Sequence, residues 1–134
     1  MPLTAEEKSR VRAWEAVLRE AASLIEPETV ITMRYMFGGA GFYAAEPLGV
    51  NLMFAGWFGG ETFALKAAPE TRDALFAHGG KPITTPDIWI PLYAEVPPDM
   101  AEDPAALAPF VAESLAFARR VYKPAVRRTR RKRP

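Results

Sequence analysis

Met36-Phe37-Gly38-Gly39-Ala40-Gly41-Phe42-Tyr43 places three glycines within four residues, between two groups of aromatic and thioether side chains. Glycine lacks the Cβ that bars positive φ and keeps backbones apart, so the phrase reads as a tight structural corner. Its flanking side chains imply that the corner lies against a core. Upstream, Val30 to Phe37 is rich in β-branched and aromatic residues, the composition of a strand. Downstream, Gly41 to Ala44 and Val50 to Phe58 read as strands joined by a turn at Glu46-Pro47-Leu48-Gly49. Gly59-Gly60 then fits a two-residue hairpin loop with positive φ at both positions. In the strand that follows, Phe63 and Leu65 alternate with Thr62, Ala64 and Lys66, so the first pair is expected to face the core. Residues 30 to 66 thus form a compact antiparallel meander.

Helices flank this meander. Thr4 with Glu7 makes a capping box, and Val11, Trp14, Val17, Leu18, Ala21, Leu24 and Ile25 recur at spacings of three and four, predicting a first helix that Pro27 stops. A short helix is predicted from about Pro69 to His78, with proline in its first turn and Gly79-Gly80 at its end. Pro82 to Thr85 and Ile88 to Tyr93 have strand composition, restricted by their prolines to edges or irregular pairing. Pro97-Pro98 breaks the chain. Asp103 as N-cap and Pro104 at the first helical position open a last helix with Leu107, Phe110, Val111, Leu115, Phe117 and Val121 or Tyr122 as its stripe. Pro109 is expected to kink it or delay its start. The fold class is α+β in two layers, a mainly antiparallel sheet packed by helices.

At 134 residues, with 49% apolar and 25% charged residues, the sequence fits one globular domain. There is no cysteine, which removes disulfides, thiolate nucleophiles and thiolate-rich zinc sites. No basic leader precedes an apolar stretch and no run has the length of a membrane span, so a cytoplasmic protein is expected, without a membrane partner. The formal charge of +1 conceals an asymmetry: residues 1–118 carry eight basic residues against all sixteen acids, a net of −8, and from Arg119 onward nine basic residues meet no acid. The expected division is a globular domain over 1–122 and a basic, disordered tail over 123–134. Arg127, Arg128, Arg130, Arg131, Lys132 and Arg133 of that tail are candidate nucleic-acid contacts. Six phosphate contacts would give a log-log salt slope of about −5 on duplex DNA, with no sequence preference. No helix presents a basic face for a groove.

Met36-Phe37-Gly38-Gly39-x-Gly41-Phe42-Tyr43, followed by Phe63-Ala64-Leu65-Lys66, Glu70-Thr71-Arg72, Tyr93, Val96-Pro97 and Asp103-Pro104 before a C-terminal helix, resembles the TfoX N-terminal domain family, which includes the Sxy competence regulators. The resemblance spans about residues 5 to 122. It implies a two-layer α+β fold similar to the secretion-chaperone class. It also implies a role in regulating DNA-uptake genes alongside the cyclic-AMP receptor protein. The long regulators carry a second, helical C-terminal domain where this sequence has the arginine tail.

Several motifs have the outline of a site. Gly39 to Ala44 matches a dinucleotide fingerprint formally, but its aromatic pair continues a strand where the fingerprint needs a helix start. No P-loop pattern occurs. His78, alone of its kind, suits a helix C-terminus. Ser9, Ser23 and Ser114 fall on helices outside any nucleophile elbow. Glu95, Asp99, Glu102 and Asp103 read as loop charge and an N-cap. No catalytic, metal or cofactor-binding residue is assigned and no cofactor is expected. Met36, Phe37, Gly38, Gly39, Gly41 and Tyr43 are a structural motif. The strand 50–58 alternates Val50, Leu52 and Phe54 with Asn51, Met53, Ala55 and Trp57, apolar on both faces, whereas two layers supply helices for one. Met53, Trp57, Trp89 and Tyr93 are therefore the candidate interface, for a protein partner or a homodimer. The favoured reading is a non-enzymatic regulatory or protein-interaction module. The alternative is a small enzymatic or ligand-binding domain holding an anion near the glycine corner with Arg34, Lys66 and Tyr93.

Overall fold

The computed structural model describes residues 3–36, 38–60, 62–84 and 89–122, and only the backbone at 48, 82–84 and 89–91. Helix α1 (Ala5–Ile25) leads into strands β1 (Ile31–Met36) and β2 (Gly39–Glu46). A turn of 3-10 helix (Pro47–Gly49) precedes β3 (Val50–Trp57) and β4 (Phe63–Lys66). Then come α2 (Pro69–Ala77), β5 (Pro82–Thr84), β6 (Trp89–Glu95), α3 (Pro98–Ala101) and α4 (Pro104–Val121). The strands form one antiparallel sheet in the order β1-β2-β3-β4-β6-β5. The α+β architecture expected from the periodicities is the one observed.

Local chemistry sets the helix ends. Both halves of the Thr4–Glu7 capping box form, and the Ala106 amide donates to Asp103 Oδ1 at 3.2 Å at the start of α4. Pro109 lies inside α4, which neither starts late nor ends there. α3 was not foreseen: proline opens a single turn where the Pro97-Pro98 pair implied only a break. Leu24, counted in the apolar stripe of α1, is 58% exposed. The buried set Val11, Trp14, Leu18, Ala21 and Ala22 is narrower than the stripe read from spacing.

One core joins the helices to one side of the sheet. Val11, Trp14 and Leu18 from α1 and Leu107, Val111 and Leu115 from α4 pack with Phe42, Leu52, Phe54, Ala55, Trp57 and Leu65. As expected from alternation, Leu65 is fully buried in this core and Phe63 packs against it.

The two hairpin loops differ from expectation. Met36 pairs with Gly39, and of the three glycines of the phrase only Gly38 takes positive φ (68°). Phe37 itself lies outside the described residues. Gly39 and Gly41 are strand residues, and the glycine phrase is therefore half turn and half sheet. Gly39 is needed for clearance, since a Cβ there would sit 2.5 Å from the Trp57 carbonyl oxygen. At the second loop, the Phe58 amide donates to the Thr62 oxygen at 3.0 Å, leaving three residues between this bonded pair instead of two. Gly59 and Gly60 do take positive φ, 99° and 55°.

The decisive departure is a β-bulge. Phe42 faces Ala55 but Tyr43 faces Met53, so Phe54 is an extra residue in β3. Phe54 and Ala55 both turn to the core, and from there the alternation is inverted relative to a regular strand. A bulge leaves ladder groups unmatched. Ser114 Oγ, fully buried on α4, donates to the Phe54 carbonyl at 2.8 Å and satisfies it.

Candidate functional site: the open face of the sheet

The inverted alternation moves Trp57 from the candidate interface into the core. It is fully buried against the helices and its Nε1–H donates to the Gly60 carbonyl at 3.0 Å. Of Trp89 only the backbone is described, so its proposed interface role lies outside the described side chains. Met53 and Tyr93 do lie together on the other side of the sheet, in a second cluster with Ala64 and Phe58. That cluster draws on strand and hairpin residues alone, with no helix residue among its described members.

Register builds the floor of this face. Arg34, Gly41, Gly56, Ala64 and Glu95 stand directly opposite one another across β1, β2, β3, β4 and β6. The three smallest side chains occupy the middle of the row and charges stand at its ends. Larger groups lean over the small ones. A Cβ on Gly41 would lie 2.9 Å from Met36 Cε, 3.1 Å from the Tyr43 hydroxyl and 3.2 Å from Met53 Cε. A Cβ on Gly56 would meet the Phe58 ring at 2.8 Å. The Phe58 ring meets that of Tyr93 edge-on at 5.7 Å between centroids, and Arg34 lies over the Tyr43 ring at 5.9 Å.

Burial sets the ionic character here. Tyr93 is held protonated well above the ordinary phenol range, first by burial and second by the neighbouring Tyr43. Lys66, opposite Tyr93 in the ladder, has its pKa lowered by burial. The face thus offers apolar contact, a phenol that donates or accepts as a neutral group, and two cations, Arg34 and Lys66. This suits a surface that contains both apolar and anionic groups.

The other sequence-derived candidates are scattered. His78 is the C-cap of α2, with its ring edge-on to Phe110 at 6.1 Å. Among the described residues no three His, Cys, Asp or Glu side chains converge as a metal site. Arg127, Arg128, Arg130, Arg131, Lys132 and Arg133 lie outside the described residues. Arg119, counted with the basic end, is instead part of a clasp. Its guanidinium donates to both oxygens of Glu26 at 2.8 Å and to Glu46 at 3.0 to 3.2 Å. These bonds hold Glu26 down to about 2, well below its ordinary value, and push Arg119 upward. No local signal could have shown this, because the acids lie 93 and 73 residues away in sequence.

The family model of the TfoX N-terminal domain matches residues 23–118. The chain belongs to the TfoX N-terminal domain family. The match begins near the end of α1 and runs through the whole sheet to the last turn of α4. Within it lie the glycine phrase, the bulge, the small-residue row and both acids of the Arg119 clasp. No curated protein and no solved structure shows significant similarity to the chain. Membership places this TfoX-type domain, in general terms, among TfoX-like regulatory modules. Among the described residues no helix is long and apolar enough to cross a membrane.

Proposed function

We propose that this TfoX-type domain is a non-enzymatic regulatory module that docks a partner protein on the open face of its sheet. The observation that carries the reading is the apolar cluster of Met53, Phe58, Ala64 and Tyr93, with no helix residue among its described members, neighboured by Arg34 and Lys66. The partly exposed Phe58 and Met53 over a floor of small residues supply contact area, and the two cations favour an acidic rim on the partner. The family implies a transcription regulator as partner, such as the cyclic-AMP receptor protein, and competence as the process. Weak, sequence-independent nucleic-acid binding by Arg127 to Arg133 would add to this role, and loss of that binding on truncation after Pro124 is the expected sign of it.

A second reading has one specific observation in its favour: the half-buried Lys66 stands opposite the buried phenol of Tyr93, a pairing that also suits a small anionic ligand. One titration separates them. The full chain, labelled for amide NMR, is titrated with the cyclic-AMP receptor protein and separately with inorganic phosphate and small carboxylates. Partner docking predicts protein-induced shifts on Tyr43, Met53, Phe58 and Lys66 that Met53→Glu abolishes. Saturable shifts with the anions alone would favour the ligand reading. Unchanged regulator binding by a folded Met53→Glu variant would overturn docking on this face.

A further inference from the structure

The two edges of the sheet are built differently. β5 is three residues long, contains Pro82 and pairs irregularly with β6, the features that blunt an edge against further pairing. β1 has six residues in uninterrupted register with β2, with no proline and no bulge of its own. Three of the large apolar side chains exposed in the structure lie on or beside it: Val30 at 57%, Tyr35 at 44% and Met36 at 38%.

The outward backbone groups can be assigned. The Ala45 amide donates to the Val30 carbonyl at 3.0 Å, and Val30 and Ala45 are direct partners by continuation of the β1–β2 register. Hydrogen-bonded pairs alternate along an antiparallel ladder, so Thr32, Arg34 and Met36 bond toward β2. Ile31, Met33 and Tyr35 therefore aim their N–H and C=O groups out of the sheet, where no described strand receives them.

We propose that β1 pairs antiparallel with β1 of a second copy of this chain, about a two-fold axis at Met33, joining two sheets into one. The proposal goes beyond the docking of a regulator, since it uses the sheet edge and not its open face. The sequence of β1 selects a second copy and this register. Centred on Met33, Ile31 meets the partner's Tyr35, and Val30 meets the partner's Met36, so each exposed apolar side chain gains an apolar neighbour. Arg34 then meets the partner's Thr32. Centring on Arg34 would oppose two arginines, and centring on Thr32 would set Tyr35 and Met36 against the polar Thr29 and Glu28 of the second copy. The favoured register closes about six main-chain hydrogen bonds through Ile31, Met33 and Tyr35 of both copies.

The test is charge exchange across the new pair, read by sedimentation of the full chain into the hundreds of micromolar, with circular dichroism confirming that each variant folds. The native chain is expected to dimerise. Thr32→Arg sets an arginine against the partner's Arg34 twice per dimer and should weaken the dimer about tenfold. The double variant Thr32→Arg with Arg34→Glu should restore it, which a merely destabilising change would not do. Because the chain has no cysteine, mixing Thr32→Cys with Arg34→Cys should give a disulfide-linked heterodimer in preference to either homodimer. A native chain that stays monomeric throughout, a dimer indifferent to folded Thr32→Arg, or preferential linkage of Arg34→Cys to itself would each overturn the proposal.

Discussion

Ser114→Ala isolates the contact that holds the β3 bulge. The hydroxyl is fully buried and donates at 2.8 Å to the carbonyl of Phe54, the residue for which the regular ladder has no place. Alanine keeps the helix and nearly the same volume, so the change is confined to one hydrogen bond. The bond itself is worth about 1 kcal/mol net, but its removal strands a buried carbonyl, and the cost rises to about 1–3 kcal/mol. A central value of ~2 kcal/mol in a domain of this size lowers the melting temperature by about 8 °C. Thermal unfolding followed by circular dichroism gives the comparison, with Ser9→Ala, at an exposed position of α1, as a control expected to match the parent. If Ser114→Ala melts within a degree or two of the parent, the Phe54 carbonyl has another donor and the argument linking α4 to the bulge is wrong.

Acid sensitivity follows from the Arg119 clasp. Glu26 is depressed to about 2 in the folded chain, so its contribution is present above its ordinary value near 4.5 and is lost as pH falls toward 2. With Glu26 and Arg119 each about one-third exposed (32% and 33%), solvent screening reduces the contribution to about 1–2 kcal/mol. Arg119→Met should remove that part of the acid-dependent loss in a urea series across the window, and an unaltered pH profile would contradict it. The glycine phrase predicts a contrast between neighbours. Gly39→Ala drives a methyl group into the Trp57 carbonyl and should cost about 2–3 kcal/mol. Gly38→Asn, in open space at φ 68°, should cost less than about 1 kcal/mol because asparagine tolerates the left-handed region. Chemical denaturation of the two variants checks the order, and equal costs would refute the assignment of Gly38 to the turn and Gly39 to the sheet.

Elements whose cause lies within a few residues were legible in the sequence. Thr4 with Glu7, Asp103 with Pro104, and the Phe63–Leu65 alternation each specify their structure locally, and each is observed. The order of strands and helices followed from these and from the turn residues. What depends on distant partners was not legible. Period-two reading put Trp57 with Met53 because nothing local marks Phe54 as supernumerary, and its stabilising donor is 60 residues away. Arg119 looked like the first member of a basic run, whereas two carboxylates from the ends of α1 and β2 enclose it. Met53 and Tyr93, named from the sequence for an interface, and Arg34 and Lys66, named for an anion site, are brought to one side of the sheet by the strand register. Phe58, left out of the candidate interface, belongs to that side because the bulge sets it opposite in parity to the buried Trp57.

The bulge has a consequence for how this chain can vary in length. Removing Phe54 would leave Leu52, Ala55 and Trp57 facing the helices and Met53 and Gly56 facing outward, with a regular ladder between β2 and β3. Loss of Ala55 in its place would leave the same regular alternation with Phe54 facing the core, whereas a gap nearer either end of β3 would turn that end inside out. Relatives lacking a residue at this point are therefore expected to keep the same outward surface, and to compensate for the missing ring with a bulkier side chain on α4 near Ser114, where the hydroxyl would no longer have a carbonyl to serve.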